Sequence, residues 1–199
     1  MPLLEAEQGS PAWHAARLGK VTASNAAACL GVSPWQGRGA AYRAVLGLDL
    51  RDTTRAQQWG KDLERKALED YEEHAGVIIA GTGFWVHPEF EWLGASPDGI
   101  VGAAGLVEVK CTSSPPITIP LHYRIQMVVQ LAVTGRAWCD LWSWAGPDRS
   151  LHRLHRDEVT ERRVIDALRS FKEQFIDARL EPPRKRKGDV LFELTPVGA

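Results

Sequence analysis

The chain has 199 residues, 44% hydrophobic and 25% charged, the balance of one globular domain with a full core. A formal net charge of −1 argues against a globally basic nucleic-acid binder, so any DNA affinity must be local, in clusters such as Arg17 with Lys20, Arg153 with Arg156, or Arg184-Lys185-Arg186-Lys187. No long apolar run or basic, apolar leader points to a membrane span or a secretory signal. Three scattered cysteines (Cys29, Cys111, Cys139) are too few for a four-cysteine iron–sulfur cluster and read as reduced cytoplasmic thiols.

Ser10-Pro11 predicts an N-cap and a first helical Pro, opening a helix through Arg17 or Leu18. Thr22-Ala23-Ser24 precedes an alanine-rich helix over 25–30, stopped by Gly31. A loop of turn formers over 31–37 carries Trp35, and a short helix is expected over 40–46. The strongest helix signal is 57–75, ended by Gly76, with Leu63, Ala67, Leu68 and Tyr71 as its apolar stripe and Glu64 on the same inward face.

From 77 to 111, short apolar runs broken by Gly and Pro predict an antiparallel meander, with strands over 77–80, 84–87, 92–95, 99–101 and 106–111. A helix follows over 119–134, between Pro120 and Gly135. Its apolar face is Leu121, Ile125, Val128 and Ala132, and Tyr123, Gln126 and Gln130 form a separate polar stripe. Residues 138–144 and 150–155 read as a hairpin around Ala145-Gly146-Pro147-Asp148. The last helix, over 157–180, turns Val164, Leu168, Phe171 and Phe175 inward. The tail beyond it is basic, then apolar, and is expected to dock on the body or on a neighbouring subunit. The eight tryptophans are expected to fill the core, with stacking on or wedging between bases as the alternative for Trp35. This order predicts one domain over 1–199, built on a mixed sheet covered on both faces by helices.

The chemistry concentrates in Ser96-Pro97-Asp98-Gly99 and Glu108-Val109-Lys110. On a strand, side chains two residues apart share a face roughly 6–7 Å apart, which sets Leu106, Glu108 and Lys110 together and Val107, Val109 and Cys111 opposite. Taken singly, each feature has an ordinary structural reading. Pro-Asp-Gly is a common turn, Glu-x-Lys a surface ion pair, Glu64 the border of a helix face, and Tyr123 with Gln126 helix packing. Together they form an ordered constellation with a chemical rationale. Hard divalent ions prefer carboxylate and carbonyl oxygens, which Asp98, Glu108 and the Val109 carbonyl offer, and Glu64 would complete the shell or hold a second ion. Lys110 would orient or activate the attacking water and offset charge on a pentavalent phosphorane.

These residues resemble the PD-(D/E)-x-K nuclease superfamily and, within it, the YqaJ-type viral recombinases related to the lambda-type phage exonuclease. Arg17-Leu18-Gly19-Lys20-Val21-Thr22-Ala23-Ser24 resembles the family's N-terminal motif, and Trp59-Gly60-Lys61-Asp62-Leu63-Glu64 the motif with the helical catalytic Glu. His122-Tyr123-Arg124-Ile125-Gln126 resembles the segment that sets a Tyr and a Gln over the active centre. The resemblance spans roughly 10–144 and implies a restriction-endonuclease-like α/β fold, a mixed central β-sheet flanked by α-helices. It implies Mg²⁺, with Mn²⁺ as a substitute, at Glu64, Asp98, Glu108 and Val109, and Lys110, Tyr123 and Gln126 as further catalytic residues. Arg17, Ser24 and Ser96 would take a DNA 5′-phosphate. The implied activity is digestion of linear double-stranded DNA from 5′ ends to leave 3′ single strands for a single-strand-annealing partner. It would come from a homo-oligomer, a trimer in the lambda-type relative, working in the cytoplasm of a bacterial host. An endonuclease on the same core, a non-catalytic DNA-end-binding module and a nuclease module of a helicase machine are the competing readings. The intact Asp and Lys count against the second, and the lack of a motor motif counts against the third.

Overall fold

A computed structural model describes residues 3–4, 8–48, 55–81, 83–185 and 189–194, with the backbone alone at 3–4 and 55–62. After β1 (Leu3–Leu4), helix α1 (Pro11–Arg17) starts as its sequence dictates: the Ser10 hydroxyl accepts the Trp13 N–H at 3.2 Å, and Pro11 follows the cap. Strand β2 (Val21–Thr22) runs directly into α2 (Ala23–Cys29). The Asn25 carboxamide oxygen accepts the Thr22 N–H at 2.8 Å, so the helix opens two residues before the expected Asn25. Helix α3 (Arg38–Val45) also begins two residues early, behind Gly37.

Helix α4 (Arg55–Ala75) carries buried Ala67 and Tyr71 on its inward stripe, as its periodicity predicts. The strands that follow are β3 (Ile79–Ala80), β4 (Phe84–Val86), β5 (Leu93–Ala95), β6 (Gly99–Val101) and β7 (Gly105–Cys111). They are not one meander. β4 and β5 join β1 and β2 in a sheet ordered β1-β4-β5-β2, in which β2 and β5 are parallel. Strands β3, β6 and β7 belong to the second sheet, completed by β8 (Trp138–Ala145) and β9 (Asp148–His155) in the order β3-β6-β7-β8-β9. Spacing along the chain gave no sign of this exchange, because the partners of β4 and β5 come from the N-terminus.

The five-stranded sheet is mixed: β7 and β8 are parallel, connected by helix α5 (Leu121–Thr134), and its other pairs are antiparallel. Gly135 ends α5 at φ +69°, a left-handed cap that donates to the Leu131 carbonyl. The hairpin β8–β9 turns at Gly146-Pro147 as expected. Helix α6 (Glu158–Phe171) is shorter than the predicted 157–180 because its last turns widen into a π-helix over Lys172–Asp177. Val164, Leu168, Phe171 and Phe175 are nonetheless all buried.

The strand alternation of β7 divides the core. Leu106, with Cys139 and Leu141 of β8, faces α2, α5 and α6, whereas Val107 and Val109, with Trp142, face Ala67 and Tyr71 of α4. Helices therefore flank both faces of the central sheet. Alanines 26 to 28 let α2 pack closely on α5. Phe192 and Leu194 of the tail pack against the body, while Arg186 and Lys187 of the basic run lie outside the described residues. Trp142 is fully buried and Trp85, Trp92, Trp138 and Trp144 pack part-buried against the two cores, but Trp35, expected in the core, stands 72% exposed. No described helix is long and apolar enough to cross a membrane.

Candidate active site

Glu108 sits mid-strand in β7 with 2% exposure, an expensive place for a charge unless every oxygen is matched. Each oxygen is. Oε1 accepts from the Lys110 ammonium and from Gln126 Nε2 at 2.5 Å, and Oε2 accepts from Gln130 Nε2 at 2.5 Å. Alternation on the strand brings Lys110 to the same face, and the three–four spacing of α5 aims Gln126 and Gln130 at one carboxylate. The polar stripe of α5 is thus an inward lining of the site. Gln130 is completely buried, and its carboxamide oxygen also accepts a long contact from the Cys139 thiol at 3.7 Å.

Asp98, in the turn before β6, accepts the Val109 N–H at 2.7 Å, which ties the turn to the middle of β7. Burial, then the negative charges of Glu108 and Glu64, push its carboxyl well above the ordinary 3.8, and Lys110 together with the Val109 N–H pulls the other way. For Lys110, burial would lower the ammonium, but Glu108 and Asp98 outweigh it and hold it raised and charged. The Tyr123 ring centre lies 5.5 Å from Lys110 Nζ; burial raises the phenol, against the lowering effect of Lys110.

One cavity of about 270 Å³ gathers nearly all the expected residues: Glu64, Asp98, Glu108, Val109, Lys110 and Gln126 share it with Arg17, Ser24 and Ser96. Tyr123 stands beside it against Lys110. The side chains of Trp59, Lys61 and Asp62 in the Glu64 motif lie outside the described residues. Arg17 donates to Ser24 Oγ at 3.0 Å and to Thr22 Oγ1 at 3.3 Å, and its guanidinium lies 4.0 Å from the Trp13 ring centre. Among the described residues no carboxylate pairs with it. Burial lowers it to about 10, so it remains a charged, unneutralised donor at neutral pH. Trp13 Nε1 donates to Ser96 Oγ at 3.0 Å, joining α1 to the Asp98 turn.

Sequence reasoning missed Trp13 and Gln130. The 126/130 spacing on α5 is the signal that could have found Gln130; Trp13 meets Ser96 only through the fold. Among the described residues no three His, Cys, Asp or Glu side chains are gathered as a ready-made ligand cluster, and the Glu108 oxygens are engaged by Lys110, Gln126 and Gln130. A larger cavity of about 610 Å³ lies where α5, β9 and the start of α6 meet. Two of its arginines are already paired, Arg153 with Asp140 and Arg156 with Glu161.

Residues 12–137 match the YqaJ-like viral recombinase domain family. The structure is similar to that of an alkaline exonuclease (LHK-Exo) from Laribacter hongkongensis, with a TM-score of 0.71 and 31% identity over 85% of this chain and 94% of that one. The same exonuclease in complex with dAMP gives a TM-score of 0.72 and 30% identity over the same shares. A phage-related exonuclease from Haemophilus somnus 129PT shares the fold, with a TM-score of 0.57 and 15% identity over 80% of this chain and 96% of that one. None of the curated proteins matches the chain in sequence. The family match over more than half the chain, together with the likeness to LHK-Exo, makes the chain a member of the YqaJ-like viral recombinase domain family.

Proposed function

We propose that the protein is a divalent-metal-dependent deoxyribonuclease of the PD-(D/E)-x-K type that digests linear double-stranded DNA from 5′-phosphorylated ends. The observation that carries this reading is the shared cavity: Arg17, Ser24 and Ser96 open onto the same 270 Å³ as Asp98, Glu108 and Lys110. An unneutralised arginine beside two hydroxyls suits a terminal phosphate, and it lies next to groups suited to breaking a phosphodiester. Family membership and the exonuclease likeness, including a relative seen in complex with dAMP, support the same reading.

The donor set fits a hard divalent cation. Glu64, Asp98 and Glu108 offer carboxylates around one cavity, beside the Val109 backbone. Asp98, Glu108 and the Val109 carbonyl would hold Mg²⁺, or Mn²⁺ in its place, with the Lys110 and Gln126 contacts to Glu108 giving way, and Glu64 would complete the shell or hold a second ion. A bound ion would polarise a phosphoryl oxygen and acidify the attacking water. The protein's own groups do the rest. Arg17, Ser24 and Ser96 fix the end by its 5′-phosphate. Lys110, held protonated, hydrogen-bonds the attacking water and offsets the charge that builds on the phosphorane. Gln130 keeps Glu108 in place. Water oxygen adds to phosphorus, the P–O3′ bond breaks, and the water proton ends on the departing 3′ oxygen. The products are a 5′-mononucleotide and a strand with a fresh 5′-phosphate, which can occupy the Arg17 pocket in turn. The remaining 3′ strand suits an annealing partner in phage-type recombination, and a ring of subunits would hold the duplex between turnovers.

The test is Mg²⁺-dependent digestion of one plasmid as a closed circle, a linear 5′-phosphorylated duplex and a linear 5′-hydroxyl duplex. Digestion confined to linear DNA and fastest with the phosphate is expected. Cutting of the circle would instead identify an endonuclease, and inertness towards all three would refute nuclease activity.

A further inference from the structure

Trp35 is a large apolar side chain held in the open by a fixed loop. Ser33 Oγ accepts the Trp35 N–H at 3.3 Å and the Gln36 N–H at 3.2 Å, and Arg38 Nε ties the next turn to the Cys29 carbonyl at 3.1 Å. The indole is nevertheless 72% exposed. It meets two other rings, both from the first turn of α5. His122 meets it edge-on at 4.7 Å between centres, and Tyr123 lies 5.9 Å away, tilted by 31°; His122 and Tyr123 are 4.2 Å apart.

This aromatic cluster adjoins the chemistry. Tyr123 is the ring beside the Lys110 ammonium. On the other side, Gln36, the residue after Trp35, lines a cavity of about 620 Å³ together with Arg17 and Ser24. The Trp35 loop therefore borders both the Lys110 side of the site and the Arg17 side. A nucleotide with its 5′-phosphate at Arg17 and Ser24 would enter a cavity that Gln36 of this loop borders.

Resting on the nuclease reading above, we propose that Trp35, backed by His122 and Tyr123, is a stacking platform for the base of the 5′-terminal nucleotide. Every base has a π-face, so the platform would hold the end nucleotide without reading its identity, as digestion along an arbitrary sequence requires. The rigid loop matters, because a preorganised ring loses little freedom when the base arrives. Trp35 is here a positioning residue; it takes part in no bond change.

The experiment is a cycle that pairs the ring with the base. Trp35→Ala, Trp35→Phe and Trp35→Leu are made in a Lys110→Met background, so that DNA is bound and not consumed. Affinity is measured by fluorescence anisotropy for a 5′-phosphorylated duplex whose first nucleotide is either ordinary or an abasic tetrahydrofuran. Stacking predicts that Trp35→Ala weakens binding of the ordinary duplex roughly 5- to 150-fold, that Phe restores most of the loss and that Leu does not. Removal of the base should cost the Trp35 protein a similar factor and cost the Ala variant almost nothing more. An equal loss on both duplexes, or full affinity with Leu, would overturn the platform. Circular-dichroism melting checks that each variant is folded, which the exposure of Trp35 favours. Digestion of the ordinary duplex by the unaltered protein is run alongside. Its failure would refute the nuclease reading, while the cycle would still report on the ring and the base.

Discussion

Replacing Lys110 with Met keeps most of the side-chain volume and removes the cation from a cluster of carboxylates. Glu108 is 2% exposed, and Lys110 is one of its three side-chain donors, so the variant leaves a buried charge with two neutral amides. Breaking a buried ion pair costs about 3–5 kcal/mol. The Lys110 side chain is itself 25% exposed, and water there softens the loss, which places the expected cost near the low end, about 3 kcal/mol. For a chain of this length that corresponds to a melting temperature lower by about 6–12 °C in metal-free buffer. Mg²⁺ should return more of that loss to the variant than it adds to the unaltered protein, because the ion replaces the missing charge. Digestion of linear 5′-phosphorylated DNA should fall by about 10²–10³-fold even where the variant is fully folded. Circular-dichroism melts with and without Mg²⁺, run beside the digestion assay, read both effects. A metal-free melting point equal to that of the unaltered protein would refute the energetic argument, and undiminished digestion would refute the role given to Lys110.

Gln130→Leu removes the donor to Glu108 Oε2 in a fully buried position, so we expect a loss of about 1–3 kcal/mol in stability. Digestion should fall about 10- to 100-fold with the KM for DNA ends little changed, as steady-state kinetics would show. Arg17→Ala should lower the preference for a 5′-phosphate over a 5′-hydroxyl end by roughly 10- to 150-fold, the equivalent of a lost charge-assisted hydrogen bond, measured as a ratio of initial rates. His87 predicts a pH effect on stability away from the site. Its Nδ1 accepts the Glu89 and Phe90 N–H groups at 3.1 and 3.2 Å, which needs the neutral ring, and burial, with Arg156 adding to it, lowers its titration below 6.5 despite Glu89. That contribution is fully present above 6.5 and is lost as pH falls through the lowered folded value. His87→Asn, which can still accept, should melt with a flatter acid limb, by up to about 1 kcal/mol. Parallel limbs for the two proteins would refute this.

How far the sequence exposed the site depends on the range of each interaction. Glu108 and Lys110 were legible because strand alternation is local, and Glu64 because helix periodicity is local. The ends of α1 and α5 were legible for the same reason, written by Ser10-Pro11 and by Gly135 within a few residues of where they act. The membership of the two sheets was not, since nothing in residues 77–111 records that β4 and β5 pair with strands from the first 22 residues. Gln130 stood in a recognised stripe, but the stripe's direction is fixed only when α5 crosses β7, and a polar stripe reads by default as a solvated one.

Trp35 inverts that error. Composition favours burial for a tryptophan, and only the packing of its loop against His122 and Tyr123 reveals an indole held outward. Both misreadings came from side chains whose environment contradicts their polarity, an amide inside and an indole outside. Gln130 touches Glu108 directly, and Trp35 reaches Lys110 through Tyr123. A fold selected for stability alone would bury the indole and expose the amide. That the exchange occurs around the carboxylate–lysine pair is the physical reason for seeking the substrate's path there and not in the larger cavity beside α6.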